Sequence, residues 1–155
     1  MTVQDFIVNY SATFEFLDKR HGKAAVIELW DRLASINLEL SDAVRDKGLE
    51  GYYEYFYGTG GTCSREHVVG GTYIDEDGVY HEEIINCPSV SELEARGKRP
   101  YRYYCEHCYW LYRRALEDNG YGYDADFELQ PRDSGYCKNC TFVAYKRGGK
   151  DHECD

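Results

Sequence analysis

Proline is scarce in this chain: three in 155 residues, with methionine occurring once. Long apolar runs are missing too. None approaches the ~18 apolar residues of a membrane span. The first twenty residues, MTVQDFIVNYSATFEFLDKR, place Asp5, Glu15 and Asp18 where a signal peptide needs a continuous apolar core. Neither export nor a membrane partner is expected, and the expected location is cytoplasmic. Positive charge is in short supply: 18 Lys and Arg stand against 28 Asp and Glu, for a net charge of −10 and a pI of about 4.9. Nucleic acids and anionic membrane surfaces both want a basic face. The stretches "YRRAL" and "GKRPYR" are short and sit among carboxylates, so no nucleic-acid partner is expected. A small-molecule substrate stays open, because one buried arginine can bind an anion on an acidic protein. Cysteine is absent from the first 62 residues, yet seven follow. A cytoplasmic protein keeps its thiols reduced. An odd, high count there points to metal binding or thiol chemistry rather than a disulfide scaffold.

Hydrophobic residues make up 43% of the chain, enough for one globular domain with a real core. Phe6, Ile7, Tyr10, Phe14 and Leu17 recur at helical spacing and predict a helix over 4–20, broken by His21-Gly22. A second helix is expected from about Lys23 to Lys47, with Val26, Trp30, Leu33, Leu40 and Val44 on its buried side and Gly48 as its C′ residue. Tyr52–Tyr57 reads as a strand or irregular segment, and Gly58–Gly61 as a mobile loop. Asp75-Glu76-Asp77-Gly78 between two β-rich runs predicts a hairpin. On its second strand Val79, His81, Glu83, Ile85 and Cys87 would share a face, ending at Cys87-Pro88. "SVSELEARG" offers a short helix or turn. A third helix is expected over Tyr103–Asp118, then two strands, "DADFELQ" and "YCKNCTFVAYK", separated by Pro131–Gly135. The expected fold class is α+β: an N-terminal helical hairpin packed with a third helix on an antiparallel β-sheet. It forms one domain over 1–147 with a flexible tail over 148–155.

Two Cys-x-x-Cys pairs dominate the second half: Cys105/Cys108 and Cys137/Cys140, with 28 residues between the inner cysteines. Two such pairs suit tetrahedral zinc, because this spacing lets both sulfurs reach one ion. The gap is wider than the ~15–20 residues usual in ribbon-type sites, and it contains a helix. "CKNCTFVAY" also alternates like a strand, which would send Cys137 and Cys140 to opposite faces. Cys140 would then join Phe142 inside. Cys105 and Cys108, three apart on a helix, lie on one face. Three readings follow: a tetra-Cys metal site, a pocket of three thiols drawn from Cys87, Cys140 and the "CEHC" pair, or thiols with no special role. His107 would point away from the helix face of its neighbouring cysteines, as a partly exposed histidine. His152 and Cys154 belong to the tail.

The order of "HGKAAVIELW", "IINCP", "YCEHCYWLYRRALEDNGYGYDADFEL" and "GYCKNCTFVAY" resembles the L-2-amino-thiazoline-4-carboxylic acid hydrolase-like family. The resemblance implies a small hydrolase that opens a five-membered cyclic amidine or a related ring. It points to Cys87, Cys108 or Cys105, and Cys140, with Asp124 as the acidic residue after the helix. The departures from the family's pattern are the doubled cysteines: a second one in "CEHC", and Cys137 in "CKNC".

The leading expectation is therefore a cytoplasmic hydrolase of a cyclic amidine or amide-like C–N bond in a small molecule, working by a thiolate or a metal-bound water. Cys87 or Cys140 would be nucleophile or ligand, and His81 or Asp124 would move protons. Arg102 or Arg113 would hold a substrate carboxylate. Cys105, Cys108, Cys137 and Cys140 are the candidate metal ligands, for zinc before iron. The alternatives are a non-catalytic zinc-stabilised binding module and an iron–sulfur or redox protein.

Overall fold

A computed structural model describes residues 3–58, 71–129 and 137–148. The expected loop beyond Gly58, the segment Pro131–Gly135 and all but the first residue of the tail lie outside the described residues. Five helices and four strands follow one another: α1 (Val3–His21), α2 (Lys23–Ser35), α3 (Leu38–Tyr57), β1 (Gly71–Ile74), β2 (Tyr80–Ile84), α4 (Pro88–Ala95), α5 (Glu106–Glu117), β3 (Tyr121–Leu129) and β4 (Cys137–Lys146). The strands form one antiparallel sheet in the order β1-β2-β4-β3. The α+β class and the helical hairpin on an antiparallel sheet are thus as expected. Among the described residues, no helix is long and apolar enough to cross a membrane.

α1 carries Lys19, Arg20 and His21 in its last turn, where cations suit the helix dipole. Gly22, at φ +82, turns the chain into α2. The expected single helix from Lys23 to Lys47 is instead two. α2 stops at Ser35, and the amides of Ile36 and Asn37 tighten the end by bonding three residues back. α3 then runs past the expected stop at Gly48. That glycine takes φ 63 and ψ −140, so it does leave the helical region, but a second helical segment starts immediately. Tyr52–Tyr57 is consequently helical, not extended. Its aromatics pair at four-residue spacing, Tyr52 with Phe56 and Tyr53 with Tyr57, and burial of Tyr52, Phe56 and Tyr57 overrides their β-propensity.

The inward face of the sheet reads in rows across β2, β4 and β3: Tyr80–Ala144–Tyr123, then Glu82–Phe142–Ala125, then Ile84–Cys140–Phe127. His81 and Glu83 do share a face of β2, and it is the outward one: Tyr80 and Glu82 are buried, while Glu83 is exposed. β2 also ends at Ile84, and Asn86 at φ 56 turns the chain before Cys87. Strand parity therefore does not extend from His81 to Cys87. Trp30 is buried and meets Phe14 edge-on at 5.1 Å. Its cluster continues through Leu40, Val44, Tyr104 and Leu116 to Phe142, so helices and sheet share one core.

Gly48 makes the kink testable. A Cβ there would stand 2.5 Å from the Tyr121 hydroxyl, at a positive φ that other residues avoid. Gly48→Ala should cost about 1–3 kcal/mol, measured by chemical denaturation. An unchanged midpoint would contradict this backbone path.

Candidate functional site

Three of the expected cysteines gather around the start of α5. Cys87 is the N-cap of α4, with Pro88 opening the helix. The amides of Ser89 and Val90 point to its sulfur, yet burial dominates and pushes its pKa up, with the Cys105 thiol adding to the shift. Cys87 thus rests as a thiol. Cys105 is the N-cap of α5 and is buried; Cys108 follows within the first turn, half-buried. The phenol between them, Tyr104, has its pKa raised by burial first, then by Cys108, Cys87 and Cys105. Cys140 faces inward on β4 beside Phe142, as strand alternation required. Cys137 heads the same strand opposite Leu129, but its side chain lies outside the described residues, as do Cys63, His152 and Cys154. Among the described residues, no group of three or more His, Cys, Asp or Glu side chains is arranged to hold a metal ion. They do not fit a zinc or iron centre on their own.

Residue spacing picks out His107 within "CEHC" but misses its contact with Cys108. The Tyr104 carbonyl caps its Nδ1. A carbonyl can only accept, so Nδ1 carries the proton and Nε2 presents its lone pair. That lone pair lies 3.5 Å from Cys108 Sγ. The ring packs among Tyr10, Phe14 and Tyr104 at 4.6–6.0 Å, and this enclosure lowers its pKa to about 4. One edge of the ring stays open to a cavity of about 540 Å³, whose lining includes Tyr10, Ser89, Tyr104, His107 and Tyr112 and, among the described residues, no charged side chain. A thiol, a neutral imidazole with its lone pair on the thiol, and a carbonyl that orients the imidazole make a nucleophile–base pair. The expectation that His107 points away from Cys108 is corrected. Being adjacent in sequence, the two side chains meet because the imidazole folds back over the first turn of α5.

A buried carboxyl was also missed. Glu82 is 8% exposed and accepts hydrogen bonds from the hydroxyls of Tyr57 on α3 and Tyr80 on β2, the latter at 3.1 Å. Burial raises its pKa and the two hydroxyls oppose the rise. The neighbouring hydroxyls of Tyr52 and Tyr123 meet at 3.3 Å. Alternating burial over Val79–Ile84 was the available signal, but a charged residue at an inward position reads as a solvent-facing one.

No family model, curated protein or solved structure matches the chain.

The other expected residues lie elsewhere. His81 is on the outward face of β2, bonded to Asp75 at 2.8 Å and stacked on Tyr73. Asp124 is exposed on the same outward face, across β4 from His81. The sheet separates both from Cys140. Arg102 is exposed and paired with Asp18, and Arg113 pairs with Glu117 while lying over Trp110. Neither arginine lines the His107 cavity.

Glu82 has a pH signature. Its folded pKa lies above the ordinary value of 4.5. The stability its neutral form contributes is therefore complete below about pH 4.5 and is lost as pH rises through the folded value. Glu82→Gln keeps the acceptor without the ionisation. In denaturant melts the variant should gain on the natural protein as pH climbs from 4.5 towards 8, and a pH-independent difference would argue against a buried neutral carboxyl.

Proposed function

We propose that the protein is a small hydrolase that opens a cyclic amidine or related C–N bond of a small molecule, with Cys108 as nucleophile and His107 as its base. The observation that carries this reading is the 3.5 Å approach to Cys108 Sγ of Nε2 of His107, a residue that itself lines the cavity. The resemblance to L-2-amino-thiazoline-4-carboxylic acid hydrolase-like proteins supports the reaction class. In the reaction, the thiol proton passes to Nε2 while sulfur bonds to the amidine carbon and the π electrons move to nitrogen. The imidazolium then returns its proton to the departing nitrogen as the C–N bond breaks, and water cleaves the carbon–sulfur bond. A low imidazole pKa makes His107 a ready donor in that second step. The aromatic walls suit a planar ring.

The test uses 2-amino-thiazoline-4-carboxylate as substrate and mass spectrometry to detect addition of one water. Cys108→Ala should lower kcat/KM by about 10³-fold or more, and His107→Gln by a comparably large factor. Cys87→Ala, which removes a thiol held protonated, should stay within about tenfold of the natural protein. Full turnover by Cys108→Ala would overturn the assignment.

A zinc clip is the second reading, favoured by the paired spacing of Cys105, Cys108, Cys137 and Cys140. It demands that both cysteines of β4 matter equally. Under the thiol reading Cys140→Ser should cost about 1–3 kcal/mol, because it puts a hydroxyl at an inward position, and Cys137→Ser should cost less. Equal, severe losses of stability and of zinc measured by elemental analysis would establish the clip; a brown protein would point to iron.

A further inference from the structure

Two thiols stand three residues apart at the start of one helix. Cys105 is the N-cap of α5, and Cys108 lies in its first turn. The cap residue already has helical angles, φ −68 and ψ −25, so helical spacing holds from Cys105 onward. Residues three apart on an α-helix share a face, with Cα atoms about 5 Å apart. A disulfide spans Cα separations of roughly 4.4–6.8 Å. The winding here also favours the pair. The amides of Glu106 and His107 each bond three residues back, to Tyr103 and Tyr104, and such tightening brings side chains at i and i+3 into line. Both residues are thiols in this structure, and their backbone is already within reach of a bond.

The two sulfurs are not equivalent. Cys108 is half-buried and so keeps some contact with solvent, and the His107 Nε2 lone pair lies 3.5 Å from its sulfur. It has both a base and access. Cys105 is 7% exposed and has little of the second. A small electrophile therefore meets Cys108 first and finds Cys105 behind it on the same helix face. Cys87 is close enough to Cys105 to affect its own ionisation, but it caps a different helix, α4, and lacks the fixed three-residue spacing.

We propose that Cys108 and Cys105 form a peroxide-reactive dithiol, in which a small hydroperoxide oxidises Cys108 and Cys105 resolves it into a Cys105–Cys108 disulfide. In the first step the Cys108 thiol proton passes to His107 Nε2 while sulfur bonds to one peroxide oxygen. The O–O bond breaks, and the departing hydroxide takes the proton back from the imidazolium and leaves as water. Cys108 is now a sulfenic acid, which condenses with a neighbouring thiol. In the second step the Cys105 sulfur bonds to the Cys108 sulfur. The S–O bond breaks, and its hydroxide leaves as a second water with the Cys105 proton. Two thiols are oxidised to one disulfide, and one peroxide is reduced to two waters. Burial selects the oxidant, since a half-buried sulfur admits a molecule of peroxide size more readily than a bulky disulfide. Closure also blocks the nucleophile of the hydrolase reading. The proposal rests on the same His107–Cys108 contact as that reading but needs neither the cavity nor an amidine.

The probe is hydrogen peroxide, added to the reduced full chain at neutral pH, with peptide mass spectrometry as the readout. Trypsin cuts after Arg102 and Arg113, so both cysteines fall in the single peptide 103–113. That peptide should become lighter by two hydrogens, and dithiothreitol should reverse the change. Cys105→Ser should leave Cys108 as a sulfenic acid that dimedone tags. His107→Gln should slow closure by about tenfold or more, whereas Cys87→Ala should close at the natural rate. Circular dichroism checks that each variant is folded. A disulfide joining this peptide to Cys87 or Cys140 would overturn the proposal, as would an unslowed His107→Gln or a peptide that peroxide leaves unchanged. An unchanged peptide with amidine turnover intact sinks this proposal alone, and closure without turnover sinks the hydrolase reading alone.

Discussion

The buried hydrogen bond from the Tyr101 amide to the Ser11 hydroxyl ties the middle of α1 to the segment that leads into α5. Much of what is chemically interesting hangs on that junction. On one side of it, Tyr104 turns the chain into α5 and sets Cys105, His107 and Cys108 against the core. On the other, Pro100 and Tyr101 hold Arg102 beside Asp18 of α1. Neither side chain of the pair needs to be unusual. A hydroxyl that would cost stability if buried alone is satisfied by an amide that no helix or strand employs. The result is a stiff connection where a loop would otherwise be free to move.

Packing around this junction explains the site's electrostatics. Tyr10, Phe14, Trp30 and Tyr104 form a continuous aromatic layer around His107. Such surroundings favour neutral forms. Imidazole is pushed to stay unprotonated, phenols to stay as phenols, and the Cys87 thiol to stay protonated. A nucleophile in this setting would be activated by proton transfer to a neighbour rather than by resting as an anion. Glu82 follows the same rule under the sheet. Its carboxyl sits where solvent cannot reach, and the hydroxyls of Tyr57 and Tyr80 replace the water it lost. Those bonds also join the last turn of α3 to β2, across a connection whose residues 59–70 lie outside the described set.

Several elements were legible from residue order alone. α1 showed in the spacing of Tyr10, Phe14 and Leu17, the β1–β2 hairpin in Asp75–Gly78, and the inward side of β4 in the alternation of Cys140, Phe142 and Ala144. Each is governed by local periodicity or by a turn with one strongly favoured chemistry. The reading failed where two rules competed. Aromatic residues over 52–57 suggested a strand, but their four-residue spacing and burial made a helix. Gly48 looked like the end of a helix and does break it, although helical geometry resumes at the next residue. His81 and Cys87 seemed to share a face only because the strand was extended past Ile84.

The sequence by itself determined the class of fold, the acidic surface and the supply of thiols, because composition and short-range periodicity act through neighbours along the chain. It also placed Cys140 inward, since alternation on a strand is a local property. Which groups meet was decided only by the tertiary structure. The rotation of the His107 ring onto Cys108 depends on the Tyr104 carbonyl and on aromatic walls contributed by α1. The burial of Glu82 depends on a tyrosine 25 residues away in sequence. The meeting of Asp18 with Arg102 depends on how α1 packs beside the segment after α4. These are contacts between distant parts of the chain. Their energies come from desolvation and geometry in a folded interior, and no pattern of adjacent residues encodes them.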